Sequence, residues 1–455
     1  MFSLFGIRSA GILAVTFAGL LLVPRPFSAP VVAQSLNDPL GTGPLHTDAG
    51  NIVDADGRVV HISGVNWFGL ETGTFAPQGL WARSLDSMLD QIAQAGFNTI
   101  RLPYSDDIFN PANVPNGIDF QKNPDLQGLT GLEIMDQVIE RAGTRGLRVI
   151  LDRHRPTAAG QTELWYTDHV SEQTWIDHWV ALANRYKGNP TIIGADLDNE
   201  PHGAATWGDG NPSTDWRAAA ERAGDAVLQA NPDWLIFVEG IEHQGNDWYW
   251  WGGNLAPAAQ APVELALPNK LVYEAHDYGA GVVNQPWFHT PDFPQNLPGM
   301  WQSHWAYLKL NGIAPVLIGE FGGRSVGNDA EGTWQRMLIS YLQTNSFDYT
   351  YWCWNPNSGD TGGVLQDDWT TLNQAKLSLL QAYQWPLLGS PVPPADAQAI
   401  VAAYTGPLDV APATSSSPVA DPDPVHAAQP TGGANDPDPV HQQAAGQSPT
   451  PSPGP

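Results

Sequence analysis

Between residues 61 and 355 the apolar positions follow two alternating textures. Short runs rich in β-branched and aromatic residues, each closing on polar side chains, give way to longer stretches with apolar residues three and four apart. The runs are HISGVNW, NTIRLPY, RVILDRH, TIIGADLDNE, LIFVEG, LVYEAHDY, PVLIGEFG and YTYWCWN, eight in all. The stretches between them include SLDSMLDQIAQAG, TGLEIMDQVIERAGTRG, SEQTWIDHWVALANRYKG and DWRAAAERAGDAVLQAN. Several open on Ser, Thr or Asp and close on Gly or Asn, the usual start and stop residues of a helix. Strand and helix alternating about eight times predict an α/β fold, a (β/α)8 TIM barrel.

The pattern changes at both ends. In NIVDADGRVVHI, two alternating apolar runs flank Asp56-Gly57, which predicts a short hairpin laid across one end of the larger fold. Arg8 precedes an apolar run over residues 10–23, too short to span a bilayer, and Val31-Val32-Ala33 suits a signal peptidase, so residues 1–33 read as a secretory signal. Residues 34–50 read as a linker and 51–388 as the barrel domain. Residues 389–455 are rich in Pro, Ala and Asp, repeat DPDPVH at Asp421 and Asp436, and carry Tyr404 as their single aromatic residue. Such a tail buries too little apolar surface to offset the entropy of ordering, so it is expected to be disordered.

Composition narrows the partners. With 47 acidic and 20 basic residues the net charge is −27, a field that repels nucleic acid and anionic membrane surfaces but leaves a neutral ligand acceptable. The 19 Trp supply flat faces on which sugars stack, besides filling the core. A single cysteine, Cys353, excludes an intrachain disulfide framework and any multi-cysteine metal site.

Functional side chains of such a barrel gather at the C-terminal ends of its strands. The eight runs end on Asn66 and Trp67, Arg101, Asp152 and His154, Asn199 and Glu200, Glu239, His276 and Tyr278, Glu320, and Trp352 and Trp354. Glu200 and Glu320 lie on the fourth and seventh runs, so their side chains can meet over the barrel mouth. Two carboxyl groups about 5 to 5.5 Å apart there are the machinery of a retaining glycosidase. Glu239 is the alternative partner, with an outer role favoured by its place beside the fourth strand. Arg101 and Tyr278 are suited to keep a nucleophile ionised while a less solvated carboxyl stays protonated.

In the NEP of residues 199–201 and the GEFG of 319–322, the chain resembles glycoside hydrolase family 5, clan A. RLPYSDD, LDRHRP, AHDY and YWCWNPNSGDTGG extend the likeness over about residues 51–385, and the secreted bacterial endo-β-1,4-glucanases (cellulases) of that family are the nearest type. The resemblance implies Glu200 as acid/base, Glu320 as nucleophile, and Asn199 on the 2-hydroxyl of the reacting sugar. It further implies Arg101, His154, His276 and Tyr278 as a supporting set, Trp352 as the platform at the cleavage point, and Trp81, Trp251 and Trp67 as platforms or walls along the cleft. No metal or cofactor is implied. The partner is a β-glucan chain, the protein is expected to be a secreted monomer, and a cell-wall association is compatible with the tail.

One position departs from the pattern. Relatives can carry His before the Asn-Glu pair, where this chain has Asp198. Alternation along a strand would put Asp196, Asp198 and Glu200 on one face, and an ionised Asp198 there would raise the pKa of Glu200. Pairing of Asp198 with an interior Arg or His is the other outcome. Three further readings compete: a metal-dependent hydrolase using His154, His202 and His276, against which GVNW replaces a first-strand histidine pair; a sugar-binding protein without catalysis; and the same chemistry on mannan, mixed-linkage glucan or xyloglucan.

Overall fold

The computed structural model describes residues 41–388. The signal, most of the linker's first part and the tail expected from the sequence lie outside the described residues.

The chain first forms a small antiparallel sheet, β1 (His46–Asp48), β2 (Asn51–Val53) and β3 (Val59–Val60), in which β2 is central. The expected hairpin is β2–β3. The linker reading of residues 46–48 is corrected, because β1 pairs with β2 residue by residue, His46 opposite Val53. Asp54 secures the turn: buried, it accepts hydrogen bonds from the amides of Asp56 and Arg58 and from Arg58 Nε.

Eight parallel strands then close into a barrel: β4 (Ser63–Asn66), β5 (Thr99–Ser105), β6 (Arg148–Arg155), β7 (Ile192–Asp196), β8 (Leu235–Glu239), β11 (Leu271–His276), β12 (Val316–Glu320) and β13 (Asp348–Tyr351). Each falls on one of the eight runs. A two-stranded hairpin, β9 (His243–Gln244) and β10 (Asp247–Trp248), is inserted after β8. The predicted helices are α1 (Leu85–Gln94), α2 (Gly131–Thr144), α3 (Glu172–Arg185) and α4 (Trp216–Ala230), with α5 (Leu297–Trp301), α6 (Tyr307–Leu310), α7 (Ala330–Asn345) and α8 (Gln374–Gln381) completing the outer ring. Ser84, Thr130, Ser171 and Asp215 cap the first four by accepting a hydrogen bond from the N-terminal turn, and Thr130 and Glu133 do so reciprocally. Among the described residues no helix is long and apolar enough to cross a membrane.

The barrel interior has two levels. At the N-terminal end Ile62, Ile150, Leu235, Phe237, Val272 and Leu317 pack with Leu45, Ile52 and Val60, so the small sheet seals an apolar plug. Above it the strands turn polar in register: Asn66 opposite Arg101, Asp152 opposite Asp196, Glu239 opposite Glu274, and His276 opposite Glu320. An apolar floor beneath a charged layer is what the strand sequences dictate, since the runs are rich in β-branched and apolar residues at their start and six of the eight end on ionisable side chains.

Candidate active site

Arg101 organises the polar layer. Its guanidinium, wholly buried, lies 2.6 Å from Asp196 Oδ2 and from Glu320 Oε1, 2.9 Å from Asp152 Oδ2, and 3.1 Å from Glu239 Oε1 and Glu274 Oε1. It also donates to Asn66 Oδ1 and Asn199 Oδ1. One cation cannot neutralise five buried carboxylates, so part of the set holds protons well above the usual carboxylate range. Burial pushes Asp152 and Asp196 up to about 7 against the pull of Arg101. Burial and neighbouring carboxylates raise Glu239 and Glu274 further. The close packing depends on small neighbours: a Cβ on Gly319 would sit 1.6 Å from Glu274 Oε1, and one on Gly252 would sit 2.0 Å from Glu239 Oε2.

Glu200 and Glu320 stand at the top of this layer, each with an oxygen in a group, completed by a His276 nitrogen, whose atoms all lie within 4.8 Å of one another. Their side chains keep 4 % and 3 % of their surface exposed, whereas Glu239 and Glu274 have none, which separates the two at the mouth from the two beneath. Glu320 accepts from Arg101 Nη1 and from the Tyr278 hydroxyl, both at 2.6 Å. Burial raises its pKa, and Arg101, His154 and the Tyr278 hydrogen bond act in the opposite direction. Glu200 is differently held. Its Oε1 is 2.9 Å from His276 Nδ1, its Oε2 is 3.3 Å from Gln161 Nε2, and its amide donates to Glu239 Oε2 at 2.8 Å. That last bond fixes a backbone with φ of 52°, a left-handed conformation uncommon for a glutamate.

Around the pair, His154 Nδ1 contacts Asp152 Oδ2 at 2.8 Å and its ring stacks on Trp352, 5.5 Å between centroids and 6° from parallel. Asn199 spends its Oδ1 on Arg101, leaving a buried Nδ2 that no protein group accepts from. Trp251 lies flat on His202, 3.7 Å apart and 1° from parallel, and His202 Nδ1 is 2.7 Å from the carbonyl of Glu200. Trp81, 38 % exposed, meets Trp369 edge-on in the loops that follow β4 and β13.

Two expectations are corrected. Trp67 is fully buried and donates through Nε1 to the carbonyl of Gln78, so it is a core side chain that cannot wall a cleft. Asp198 does not share a face with Asp196 and Glu200, because β7 ends at Asp196 and strict alternation ends with it. Asp196 turns in to Arg101, whereas Asp198 turns to Arg153, which also holds Asp106, itself 2.8 Å from His178 Nδ1 on α3. Burial brings Asp198 to about 7 despite Arg153. Glu274 and Gln161 were not singled out from sequence. For Glu274 the signal was present, two residues before His276 on the same strand face; Gln161 sits in a loop, where no periodicity applies.

Among the described residues, three groupings bring possible metal-ligand atoms within 4.8 Å: Asp152, His154 and Glu320; Glu200, His276 and Glu320; and Glu239, Glu274 and His276. Arg101 already lies against members of each, and a second cation would meet its repulsion. The donor set is therefore suited to a guanidinium at its centre.

Comparison with known proteins identifies the family. The model of the family described as cellulase, glycosyl hydrolase family 5, matches residues 53–358. An endoglucanase of Paenibacillus polymyxa is 55% identical over 350 residues, covering 76% of this chain and 88% of that protein. The major extracellular endoglucanase of Xanthomonas campestris pv. campestris is 46% identical over 348 residues, covering 75% of this chain and 71% of that protein. A solved structure of an endocellulase variant from Pyrococcus horikoshii with cellotetraose is 43% identical and superposes with a TM-score of 0.70, covering 76% of this chain and 99% of that one. A barrel with two glutamates at its mouth, matched over this length and at this identity, belongs to glycosyl hydrolase family 5.

Proposed function

We propose that this chain is a secreted, retaining endo-β-1,4-glucanase in which Glu320 is the nucleophile and Glu200 the acid/base. The observation that carries the reading is that a carboxyl oxygen of Glu200 lies no more than 4.8 Å from one of Glu320, which is compatible with the roughly 5 to 5.5 Å between the carboxyl groups of retaining enzymes and leaves less room than the roughly 6.5 Å or more at which inverting enzymes fit a water between them. The asymmetry of their surroundings supports the division of labour. Glu320 receives a guanidinium and a phenol, donors that favour its anion, whereas Glu200 lies among glutamates and a histidine.

In the first step the Glu320 carboxylate bonds to the anomeric carbon as the glycosidic C–O bond breaks, and the Glu200 proton passes to the departing oxygen. In the second, Glu200, now ionised, takes a proton from water, whose oxygen attacks the same carbon and frees Glu320. The unshared Nδ2 of Asn199 suits a 2-hydroxyl that tightens its hydrogen bond in the transition state. Trp352, braced by His154 and by Phe68, offers a face under the reacting sugar, with Trp81 and Trp251 serving sugars further along.

A glucan is favoured over other β-linked polymers because the relatives at 55% and 46% identity are named endoglucanases, while one named a mannan endo-1,4-beta-mannosidase is 23% identical. Secretion is supported by the signal-like residues 1–33 and by the name of the Xanthomonas relative. Proton NMR of a cellopentaose digest tests the mechanism: the β anomer is expected to appear first, and a first-formed α anomer refutes it.

A further inference from the structure

The hairpin β9–β10 carries Trp248, 56 % exposed and the most exposed tryptophan among the described residues. In the run Trp248-Tyr249-Trp250-Trp251, Tyr249 and Trp250 are buried and Trp251, packed on His202, is half-buried, so Trp248 is the one turned most fully to solvent. It is not loose. One face of the indole stacks on His243, 4.2 Å between centroids and 25° from parallel. His243 Nε2 lies 3.1 Å from the carbonyl of Gly203, and the Gly203 amide donates to Glu242 at 3.0 Å, which pins the hairpin to the loop that begins at Glu200. On the other strand the carbonyl of Asp247 accepts from Asn254, and Asp247 Oδ1 is 3.2 Å from His304 Nε2. An indole braced on one face, held on a tied hairpin and open on the other face is a preorganised stacking surface.

Its position relative to the chemistry gives it an orientation. Glu200, as acid, protonates the oxygen of the departing chain, so that chain leaves across the flank of the barrel that bears Glu200. The flank is built from the loop after β7, with His202 and Gly203, and the insertion after β8, with Trp248 and Trp251. Trp352, by contrast, stacks beside His154 near Glu320 on the other flank.

We propose that Trp248, backed by His243, is a platform for a glucosyl unit of the departing chain, lying beyond the one nearest Trp251, and that it makes the enzyme sensitive to chain length on that side. This rests on the assignment of Glu200 as the acid. The test compares kcat/KM for cellohexaose with that for an aryl cellobioside, whose departing group has no sugar to stack, in the full-length protein and in Trp248→Ala. The ratio of the two is expected to fall roughly three- to tenfold, the worth of one aromatic contact, with the preferred cleavage point of cellohexaose moving and Trp248→Phe restoring much of both. An unchanged ratio overturns the platform, as does a parallel loss on the two substrates, which marks a merely structural tryptophan. Failure of the unmodified enzyme to cleave cellohexaose overturns the glucanase reading instead, and an α-glycosyl azide from Glu200→Ala overturns the assignment of Glu200 as the acid.

Discussion

At the scale of single residues, the division of roles between Glu200 and Glu320 has a stereochemical signature. On an activated aryl cellobioside, azide is expected to rescue Glu200→Ala with a β-glycosyl azide and Glu320→Ala with an α-glycosyl azide. Without azide, Glu200→Ala should lose roughly 10²- to 10⁴-fold in turnover of the polymer. The same anomer from both variants would contradict the assignment. Tyr278→Phe removes a hydrogen bond that favours the Glu320 anion. Because the nucleophile must be ionised, activity falls as pH drops through its pKa, and the variant's acid limb of kcat/KM should move to higher pH; a limb that stays put or moves down would show that the phenol does not tune it. Asp198→Asn, in turn, should leave the alkaline limb where it is, since Asp198 faces Arg153 and not Glu200.

At the scale of elements, the small sheet beneath the barrel contributes stability and no chemistry. Ile52, fully buried in the apolar plug, is far from the mouth. Ile52→Ala should cost roughly 2–5 kcal/mol in urea unfolding while kcat stays as it was; a loss of kcat with full stability would contradict the separation of floor and mouth. The barrel strands were legible because each is a β-branched run that turns polar at one end, and the first four helices because a capping residue precedes a period of three and four. Short elements were not. His46–Asp48 and the two-residue strands of β9–β10 are too brief for a period to emerge, so one was read as linker and the other passed unseen. Trp67 and Asp198 failed for a related reason: each lies just past a strand end, where alternation no longer dictates which way a side chain turns. Glu320 was legible as the last residue of β12, whose register the barrel fixes, whereas Glu200, four residues past the end of β7, was singled out through the NEP motif.

At the scale of the whole molecule, a protein with many buried carboxyls should respond to pH in an unusual sense. Burial holds Asp152, Asp196, Asp198 and Asp277 at about 7 in the folded state, against an ordinary value of 3.8. The folded chain therefore keeps protons that the unfolded chain releases. A raised carboxyl contributes stability that is complete below its unfolded pKa and lost as pH rises through the folded one, so stability should decline between about pH 4 and 7. Scanning calorimetry is expected to give a lower Tm at pH 8 than at pH 5; the opposite order would mean that these carboxyls are ionised and paired in the fold. The central claim, that Glu320 bonds covalently to the sugar while Glu200 moves the proton, is tested most directly by trapping. After incubation with a 2-deoxy-2-fluoro cellobiosyl fluoride and peptic digestion, mass spectrometry should find the added mass on the peptide containing Glu320 and on no other. Label on Glu200 or Glu239, or none at all from an enzyme that turns over glucan, would contradict it.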